Sequence, residues 1–232
     1  MQRERHDELF ARGAAPSLPL RDLFGCDVEV AQAAPALVDD ALYAAEREIV
    51  ANAVAKRRAE FGVGRLCARR ALAALGVAEG PILANRARAP VWPDGVVGSI
   101  THTHGYCAAV VARASAARSL GLDAERDVAL KASLEEDVCT PSERAWLDRQ
   151  PRSERGRLGI LFFSAKEAFY KCQHPITGTF LSFADVDVAL RLESATFEVT
   201  GVRKTGSEWS SVRGVRGRFV RGEGLVVTAA TL

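Results

Sequence analysis

Residues 96–125 read VVGSITHTHGYCAAVVARASAARSLGLDAE, and this stretch decides the predicted fold. VVGSITHT and CAAVVARA are rich in Val and Ile, and SLGLDAE continues in the same way, so three strands are predicted. Upstream, the run from Asp39 to about Gly76 is rich in Ala, Glu, Arg and Leu, with apolar residues at helical spacing. Gly62 and Gly64 interrupt that run and indicate two helices with a joint between them.

Helices and strands recur after about residue 118. Residues 132–157 carry mixed charges and predict one short helix plus a loop, and GILFFSAKEAFYKCQ at 159–173 predicts a longer helix. One face of that helix carries small and apolar residues: Leu161, Ala165, Ala168, Phe169 and Cys172. Near the C-terminus, ATFEVTGV, GRFVRG and GLVVTAATL alternate and contain glycine, which is typical of a small antiparallel sheet.

Two rounds of helices and strands favour an α+β fold with two halves, residues 1–118 and 119–232. Residues 1–40, interrupted by three prolines, predict loops with a short strand or two and a short helix. A faint echo between CARRAL at 67–72 and SAKEAF at 164–169 agrees with two packed halves and a cleft between them.

Composition indicates an ordinary water-soluble chain. At 232 residues and 48% hydrophobic content it can form one large domain or two small ones, and a net charge of +2 does not favour nucleic acid as a partner. No apolar run is long enough for a membrane span, and MQRERHDELF lacks the apolar core of a signal peptide. Five dispersed cysteines predict free, buried thiols in a reducing cytoplasm.

Carboxylates form the most informative local pattern. Asp123 and Glu125 are two residues apart on a predicted strand, so their side chains share one face. The helix at 159–173 adds Glu167, with Lys171 one turn later and Lys166 adjacent. Separately these residues are typical of a solvated strand edge and an ordinary helical ion pair. Together they favour a hard cation such as Mg²⁺, completed by water and phosphate oxygens.

Three classes of function remain open on these residues alone. A metal-dependent phosphohydrolase or nucleotidyl transferase would also use carboxylates and cations, although the sequence contains no P-loop or HExxH motif. A binding module could recognise coenzyme A or nucleic acid through the Arg-rich segment from Lys56 to Arg70. The third class is an enzyme that holds a hard cation on these carboxylates beside basic residues that bind phosphate.

Two motifs decide among these classes by resemblance. GLDAE at 121–125 and FSAKEAFYK at 163–171 resemble the paired signature of the phosphopantetheinyl transferases, G-x-D-x-E and W/F-x-x-K-E-A/S-x-x-K. AKRRAEFGVGRLCARRAL, RAPVWPDG and VGSITHTHGYCAAVVA are similar to the Sfp-type, EntD-like branch, particularly its actinobacterial members. The resemblance implies two similar α/β halves packed pseudo-symmetrically, with the active site in the cleft between them.

The resemblance also implies a reaction. A serine of a carrier protein attacks the β-phosphate of coenzyme A, the 4′-phosphopantetheine arm is transferred, and 3′,5′-ADP leaves. Mg²⁺, with Mn²⁺ as an alternative, would be held by Asp123, Glu125 and Glu167. Glu167 would act as general base, Lys171 would hold a phosphate oxygen, and Asp123 completes the catalytic set.

Coenzyme A should meet basic and hydroxyl side chains as well. The resemblance nominates Arg57 and Arg65 for its 3′-phosphate and adenine end, and a solvated Arg-rich helix is the alternative for either residue. The remaining candidate contacts are Arg88, Ser99, Thr101, His102, Lys166 and Lys171. His6 and His174 are expected at the surface, and Trp92, Trp146, Phe61 and Phe162 in the core.

The implied partners are apo acyl carrier and peptidyl carrier proteins, bound transiently. The branch generally serves polyketide, nonribosomal peptide and sometimes fatty acid synthases. A cytoplasmic monomer is expected, with neither nucleic acid nor a membrane as a partner.

Overall fold

The computed structural model describes residues 16–204, 206, 209–210, 212 and 214–232. Their contacts divide into two units, one built mainly from residues 26–117 and the other from residues 118–232 together with 22–25. Each unit combines helices with an antiparallel sheet, so the predicted α+β class is confirmed. His6 and the rest of residues 1–15 lie outside the described residues.

The first unit contains a three-stranded antiparallel sheet. Its strands are β1 (Glu29–Ala33), β2 (Val96–Thr103) and β3 (Tyr106–Arg113), in the spatial order β1-β3-β2. The strands predicted from VVGSITHT and CAAVVARA are confirmed. His102 lies opposite Cys107 in the register, so the two side chains share one face of the sheet.

Helices α1 (Ala44–Ile49) and α2 (Ala55–Ala74) belong to the same unit as this sheet. The predicted joint at Gly62 and Gly64 is wrong, because α2 runs through both glycines and the break comes before Ala55. A Cβ on Gly62 would lie 2.6 Å from Val38, and one on Gly64 would lie 3.0 Å from Ile100. The glycines therefore permit close packing of a continuous helix.

The second unit contains a five-stranded antiparallel sheet in the order β4-β8-β7-β6-β5. The strands are β4 (Leu120–Arg126), β5 (Val186–Arg191), β6 (Thr196–Val202), β7 (Arg216–Gly222) and β8 (Leu225–Thr231). The predicted strands of the tail are confirmed, but the sheet is larger than expected. It gains β5, which was not predicted, and β4, which pairs with β8.

Three helices complete this unit: α3 (Ala132–Val138), α4 (Pro141–Leu147) and α5 (Arg152–Thr177). The expected single short helix plus a loop over 132–157 is wrong. Thr140 and Glu143 form a capping box that starts α4, and α5 begins at Arg152, before the predicted start. Short 3₁₀ turns occur at Leu20–Leu23, Asp39–Ala41 and Phe183–Asp185.

Helix α5 is the central helix of the second unit and packs on β4 and β8. Its predicted apolar face is confirmed, since all five residues have no exposed surface: Leu161, Ala165, Ala168, Phe169 and Cys172. Ser164 and Lys166 are buried too, so the helix is enclosed on more than one side. Phe162 belongs to the same core, and the ring of Trp146 packs edge-on against it at 5.7 Å.

All five cysteines are free thiols, as predicted, and four of them are buried, whereas Cys26, which was also expected to be buried, is half-buried. Burial raises the pKa of Cys67, Cys107, Cys139 and Cys172. Within the described ranges, no helix combines the length and the apolar character needed to cross a bilayer.

Candidate active site

The acidic motif lies on the face of β4 that packs against α5. A Cβ built on Gly121 would lie 1.9 Å from the carbonyl oxygen of Ala168, so this position faces the helix directly. Because strand side chains alternate, Asp123 and Glu125 lie on the same face as Gly121. The prediction that the two carboxylates share a face follows from this register.

Asp123 is held by two partners on α5. Its Oδ1 accepts a 2.8 Å hydrogen bond from Lys171 Nζ, and its Oδ2 accepts one of 2.8 Å from the hydroxyl of Ser164. Lys171 also donates to the Leu122 carbonyl at 3.1 Å. The Asp123 side chain is buried, so this charged pair lies in a low-dielectric environment, where it is stronger than at a surface.

Glu167 precedes Lys171 by one helical turn and is half-buried. Burial raises the pKa of its carboxyl group, the negative charge of Asp123 raises it further, and the Lys171 ammonium acts in the opposite direction. Asp123 and Glu167 are therefore close enough to repel each other. A cation beside both carboxylates would relieve this repulsion.

Glu125, the third predicted metal ligand, is half-buried two positions along β4. Among the residues that the structure describes, no three Asp, Glu, His or Cys groups are gathered into a ready-made metal cage. Mg²⁺ commonly uses one or two carboxylates and completes its shell with water and substrate phosphates. The all-oxygen character of this donor set therefore fits a hard cation, although the three predicted ligands do not converge.

Lys166 has a different role from the one predicted for its ammonium group. Its Nζ donates to Glu143 Oε2 at 2.7 Å, to the Val138 carbonyl at 2.8 Å and to the Phe183 carbonyl at 3.0 Å. A lysine has three N–H donors, and all three are used here. The buried ammonium thus ties α5 to neighbouring segments and has no donor left for a phosphate, which argues against the predicted coenzyme A contact.

A cavity of about 270 Å³ opens beside Glu167. Its wall is mostly apolar and aromatic: Phe169, Tyr170, Phe180, Leu181, Phe183, Ala184 and Val186, with Asp137, Lys166 and Ser182. The rings of Tyr170 and Phe180 meet edge-on at 5.9 Å, and Phe180 is 71% exposed. Sequence reasoning missed this cavity, and its only sequence signal was the cluster of aromatic residues after Gly178.

In the first unit, Arg57 and His102 come together. Arg57 Nη1 lies 2.7 Å from His102 Nε2, and Glu60 Oε2 lies 3.6 Å from His102 Nδ1. The sequence predicted both Arg57 and His102 as phosphate contacts, and α2 and β2 bring them to one place. Because a guanidinium can only donate, Arg57 donates to His102 Nε2, and the remaining N–H groups of Arg57 are the donors that an anion would meet here.

Ser99 and Thr101 lie on the other face of β2, because residues of a strand alternate and His102 is an odd number of positions from each. Both hydroxyl side chains are buried, with exposures of 4% and 2%. The structure therefore does not group these two hydroxyls with Arg57 and His102.

Arg65 and Arg88 have contrasting environments. Arg65 is 5% exposed, its Nε donates to the Ile82 carbonyl at 2.7 Å, and its guanidinium lies 4.3 Å from the centre of the Phe61 ring. Burial lowers its pKa to about 10. Arg88 is exposed in a tight turn at φ 63°, where the Asn85 side chain accepts hydrogen bonds from neighbouring backbone N–H groups.

Two protein families match separate segments of the chain. Residues 45–112 match the 4′-phosphopantetheinyl transferase N-terminal domain, and residues 119–230 match the 4′-phosphopantetheinyl transferase superfamily. The chain therefore belongs to the 4′-phosphopantetheinyl transferases, which confirms the predicted family and makes the protein a transferase of phosphopantetheine to carrier proteins.

Three actinobacterial relatives support the same assignment. The 4′-phosphopantetheinyl transferase Svp of Streptomyces mobaraensis is 44% identical over 200 residues, 81% of this chain and 77% of that protein. PptT of Mycobacterium tuberculosis is 40% identical over 194 residues, 81% and 84% of the two chains. Npt of Nocardia iowensis is 37% identical over 196 residues, 80% and 86% of the two chains.

Proposed function

We propose that the chain performs this transfer with a Mg²⁺ ion bound at the carboxylates of Asp123 and Glu167, with Glu125 as a further candidate ligand, and that the second unit carries the catalytic groups. Mn²⁺ is the alternative ion. The observation that supports the proposal most strongly is the buried Asp123 carboxylate, bonded to Lys171 and in repulsion with Glu167. Such a site combines negative charge for a cation with a positive group for phosphate.

Glu167 is our choice for the group that accepts the proton of the carrier serine. The serine oxygen forms a bond to the β-phosphorus of coenzyme A while the bond from that phosphorus to the bridging oxygen breaks, and 3′,5′-ADP leaves. The serine proton passes to a carboxylate oxygen of Glu167. Glu167 lines the cavity and lies one helical turn before Lys171, so its carboxylate can take the serine proton directly or through a water.

Lys171 supplies positive charge at the same place. Its side chain is 28% exposed, so its ammonium can reach a ligand while it keeps Asp123 oriented. A lysine so placed stabilises the negative charge that develops on phosphate oxygens during the transfer. The bound cation would add further charge stabilisation at the pyrophosphate.

The cavity beside Glu167 is where we place the pantetheine arm. The arm is long and thin and has apolar stretches between its amides, and the cavity offers about 270 Å³ with a largely apolar wall. Its neighbour Glu167 would then lie near the reacting phosphate end of the arm. Lys166 contributes to this site by bonding to the backbone of Phe183, a wall residue, and of Val138, which follows the wall residue Asp137.

In the first unit, Arg57 and His102 are our candidates for phosphates of coenzyme A. Their 2.7 Å contact lies at a partly exposed surface, where an anion can reach the Arg57 guanidinium while His102 Nε2 accepts from it. Arg88, which is exposed, stays a candidate for the same ligand. Arg65 is better explained as a support for α2, because its guanidinium is stacked on Phe61 and bonded to Ile82.

The carriers served should be acyl and peptidyl carrier proteins of polyketide, nonribosomal peptide or fatty acid synthases, each engaged transiently. We further propose that the protein works as a monomer in the cytoplasm. The choice of carrier proteins as the acceptors is supported by the family to which the chain belongs.

The test is mass spectrometry of purified apo acyl and peptidyl carrier proteins after incubation with the protein, coenzyme A and Mg²⁺. The carrier should gain the mass of one phosphopantetheinyl group, and a carrier with its serine replaced by alanine should gain none. Chelation of the metal by EDTA should stop the gain, and added Mg²⁺ should restore it. Full activity in EDTA would contradict the metal assignment, whereas no gain on any carrier would contradict the transfer.

Asp123→Asn tests the site itself. The substitution removes the charge and keeps the shape, so the transfer rate should fall by about a hundredfold or more, as when one electrostatic stabiliser is removed from an active site. The matched control is Glu193→Gln, which removes a carboxylate from an exposed turn of the same unit. Equal activity of the two variants would show that Asp123 has no catalytic role.

A further inference from the structure

Two buried hydroxyl groups lie against Asp123, and neither belongs to the predicted site. Ser164 on α5 places its Oγ 2.8 Å from Asp123 Oδ2 and 2.9 Å from Thr228 Oγ1 on β8. Thr228 is the register partner of Asp123 on the neighbouring strand, so both side chains lie on one face. Ser164 and Thr228 have no exposed surface, and Asp123 has 4%.

The number of hydroxyl protons fixes the direction of these hydrogen bonds. Thr228 Oγ1 also lies 2.8 Å from the backbone carbonyl oxygen of Ser164. A carbonyl oxygen can only accept, so the Thr228 hydroxyl donates its proton to it. The ionised carboxylate of Asp123 can only accept as well. The single hydroxyl proton of Ser164 is therefore donated to Asp123 Oδ2.

This arrangement gives each oxygen of Asp123 a different partner. Oδ2 is bound to Ser164 inside the protein, whereas Oδ1 faces Lys171, whose side chain is partly exposed. A carboxylate with one oxygen fixed in this way cannot rotate freely about the Cβ–Cγ bond of Asp123. Hydrogen bonds to a metal-binding carboxylate orient it and hold its ligand oxygen in place.

We propose that Ser164 is a positioning residue that fixes the carboxylate of Asp123 for the cation and the pyrophosphate, with Thr228 as its support. This inference rests on the metal site proposed above. The hydroxyl of Ser164 has no contact with the substrate in this scheme and acts through Asp123. Loss of the Ser164 hydroxyl should lower the affinity for the metal beyond any effect that follows from a lower stability of the fold.

The experiment compares Ser164→Ala with Thr140→Val in the whole chain. Thr140 is a buried hydroxyl residue of the same unit that caps α4, so its variant loses a buried hydroxyl without touching Asp123. Mn²⁺ is titrated into each protein in the presence of coenzyme A, and free Mn²⁺ is followed by electron paramagnetic resonance. Thermal unfolding without metal is recorded for both variants.

Ser164→Ala should weaken Mn²⁺ binding by about 10- to 100-fold, the usual effect of removing a partner of a metal ligand. Thr140→Val should bind Mn²⁺ like the wild type even where it unfolds at a lower temperature. Saturating Mn²⁺ should restore much of the lost transfer rate of Ser164→Ala. If Ser164→Ala does not fold, Ser164→Cys, with a side chain of similar size but a weak donor, should show the same weakening.

Unchanged Mn²⁺ affinity in the folded Ser164 variant would overturn the inference while the metal site stands. Equal weakening of Mn²⁺ binding by Thr140→Val would overturn it as well, because the weakening would then follow from a less stable fold and not from the contact with Asp123. Absence of Mn²⁺ binding by the wild-type protein with coenzyme A would overturn the proposed metal site, and this inference with it.

Discussion

Gly121→Ala is the substitution for which the structure gives the sharpest expectation. The new Cβ would lie 1.9 Å from the Ala168 carbonyl oxygen and 2.9 Å from the Cβ of Cys172, both on α5. Gly121 does not have a positive φ, so its backbone conformation does not require glycine. The requirement is steric, since α5 packs directly on the backbone of β4.

The size of the effect follows from the nature of the obstacle. A backbone carbonyl cannot rotate away as a side chain can, so β4 and α5 must separate. Overpacking of a core costs about 1–3 kcal/mol, and a contact this short belongs at the upper end, about 3 kcal/mol. For a protein of this length, that loss lowers the melting temperature by about 6–12 °C. Asp123 lies two residues away, so the transfer rate should fall too.

Thermal unfolding followed by circular dichroism measures the fall in melting temperature, and the carrier mass assay measures the fall in transfer rate. Gly25→Ala is the matched control, because a Cβ at Gly25 meets no atom within 4 Å and its φ is not positive. It should melt within about 1 °C of the wild type, as most surface changes do. A Gly121→Ala protein that melts with the control and keeps full activity would refute the steric explanation.

Two further predictions concern other parts of the chain. Glu46→Ala removes the carboxylate that the buried Arg69 guanidinium and the Ile82 N–H both contact at 2.8–2.9 Å. The free energy of unfolding, measured by denaturant titration, should therefore fall by about 3–5 kcal/mol. A fall of less than about 1 kcal/mol would contradict this expectation. Asp185→Asn tests pH dependence, because the Ser182 hydroxyl lowers the pKa of Asp185 in the folded state. A lowered pKa stabilises the fold above the ordinary carboxyl pKa of about 4, and this contribution is lost as pH falls through the folded-state value. The wild type should therefore melt above the variant at pH 7 and not at pH 2, and a difference that is independent of pH would contradict the assignment.

Local periodicity made part of the site predictable. The spacing of Asp123 and Glu125 was sufficient to place both on one face, because side chains of any strand alternate. The spacing of Glu167 and Lys171 likewise placed them one turn apart on α5. That Lys171 would bond to Asp123 was not predictable, since it depends on how α5 crosses β4.

Burial was the main property that the sequence did not reveal. Lys166 and Arg65 look like phosphate ligands in a list of cations, but the fold turns both inward and bonds them to protein oxygens. Gly62 looks like a helix breaker, but it only makes room for Val38. Strand β5 was missed because its place depends on pairing with β6 within a sheet.

The two signature motifs turn out to be the two sides of one packed contact between β4 and α5. Ser164, Glu167, Ala168 and Lys171 are spaced i, i+3, i+4 and i+7, so they form one stripe along α5. The small residues of the contact, Gly121 and Ala168, let the backbones approach, and only then can Ser164 and Lys171 reach the two oxygens of Asp123. Lys166 lies outside this stripe, which explains why a charged residue inside the same motif bonds to Glu143 and has a structural role. The spacing of the motif therefore separates the residues of α5 that face β4 from those that do not, a distinction that the identities of the residues alone do not make.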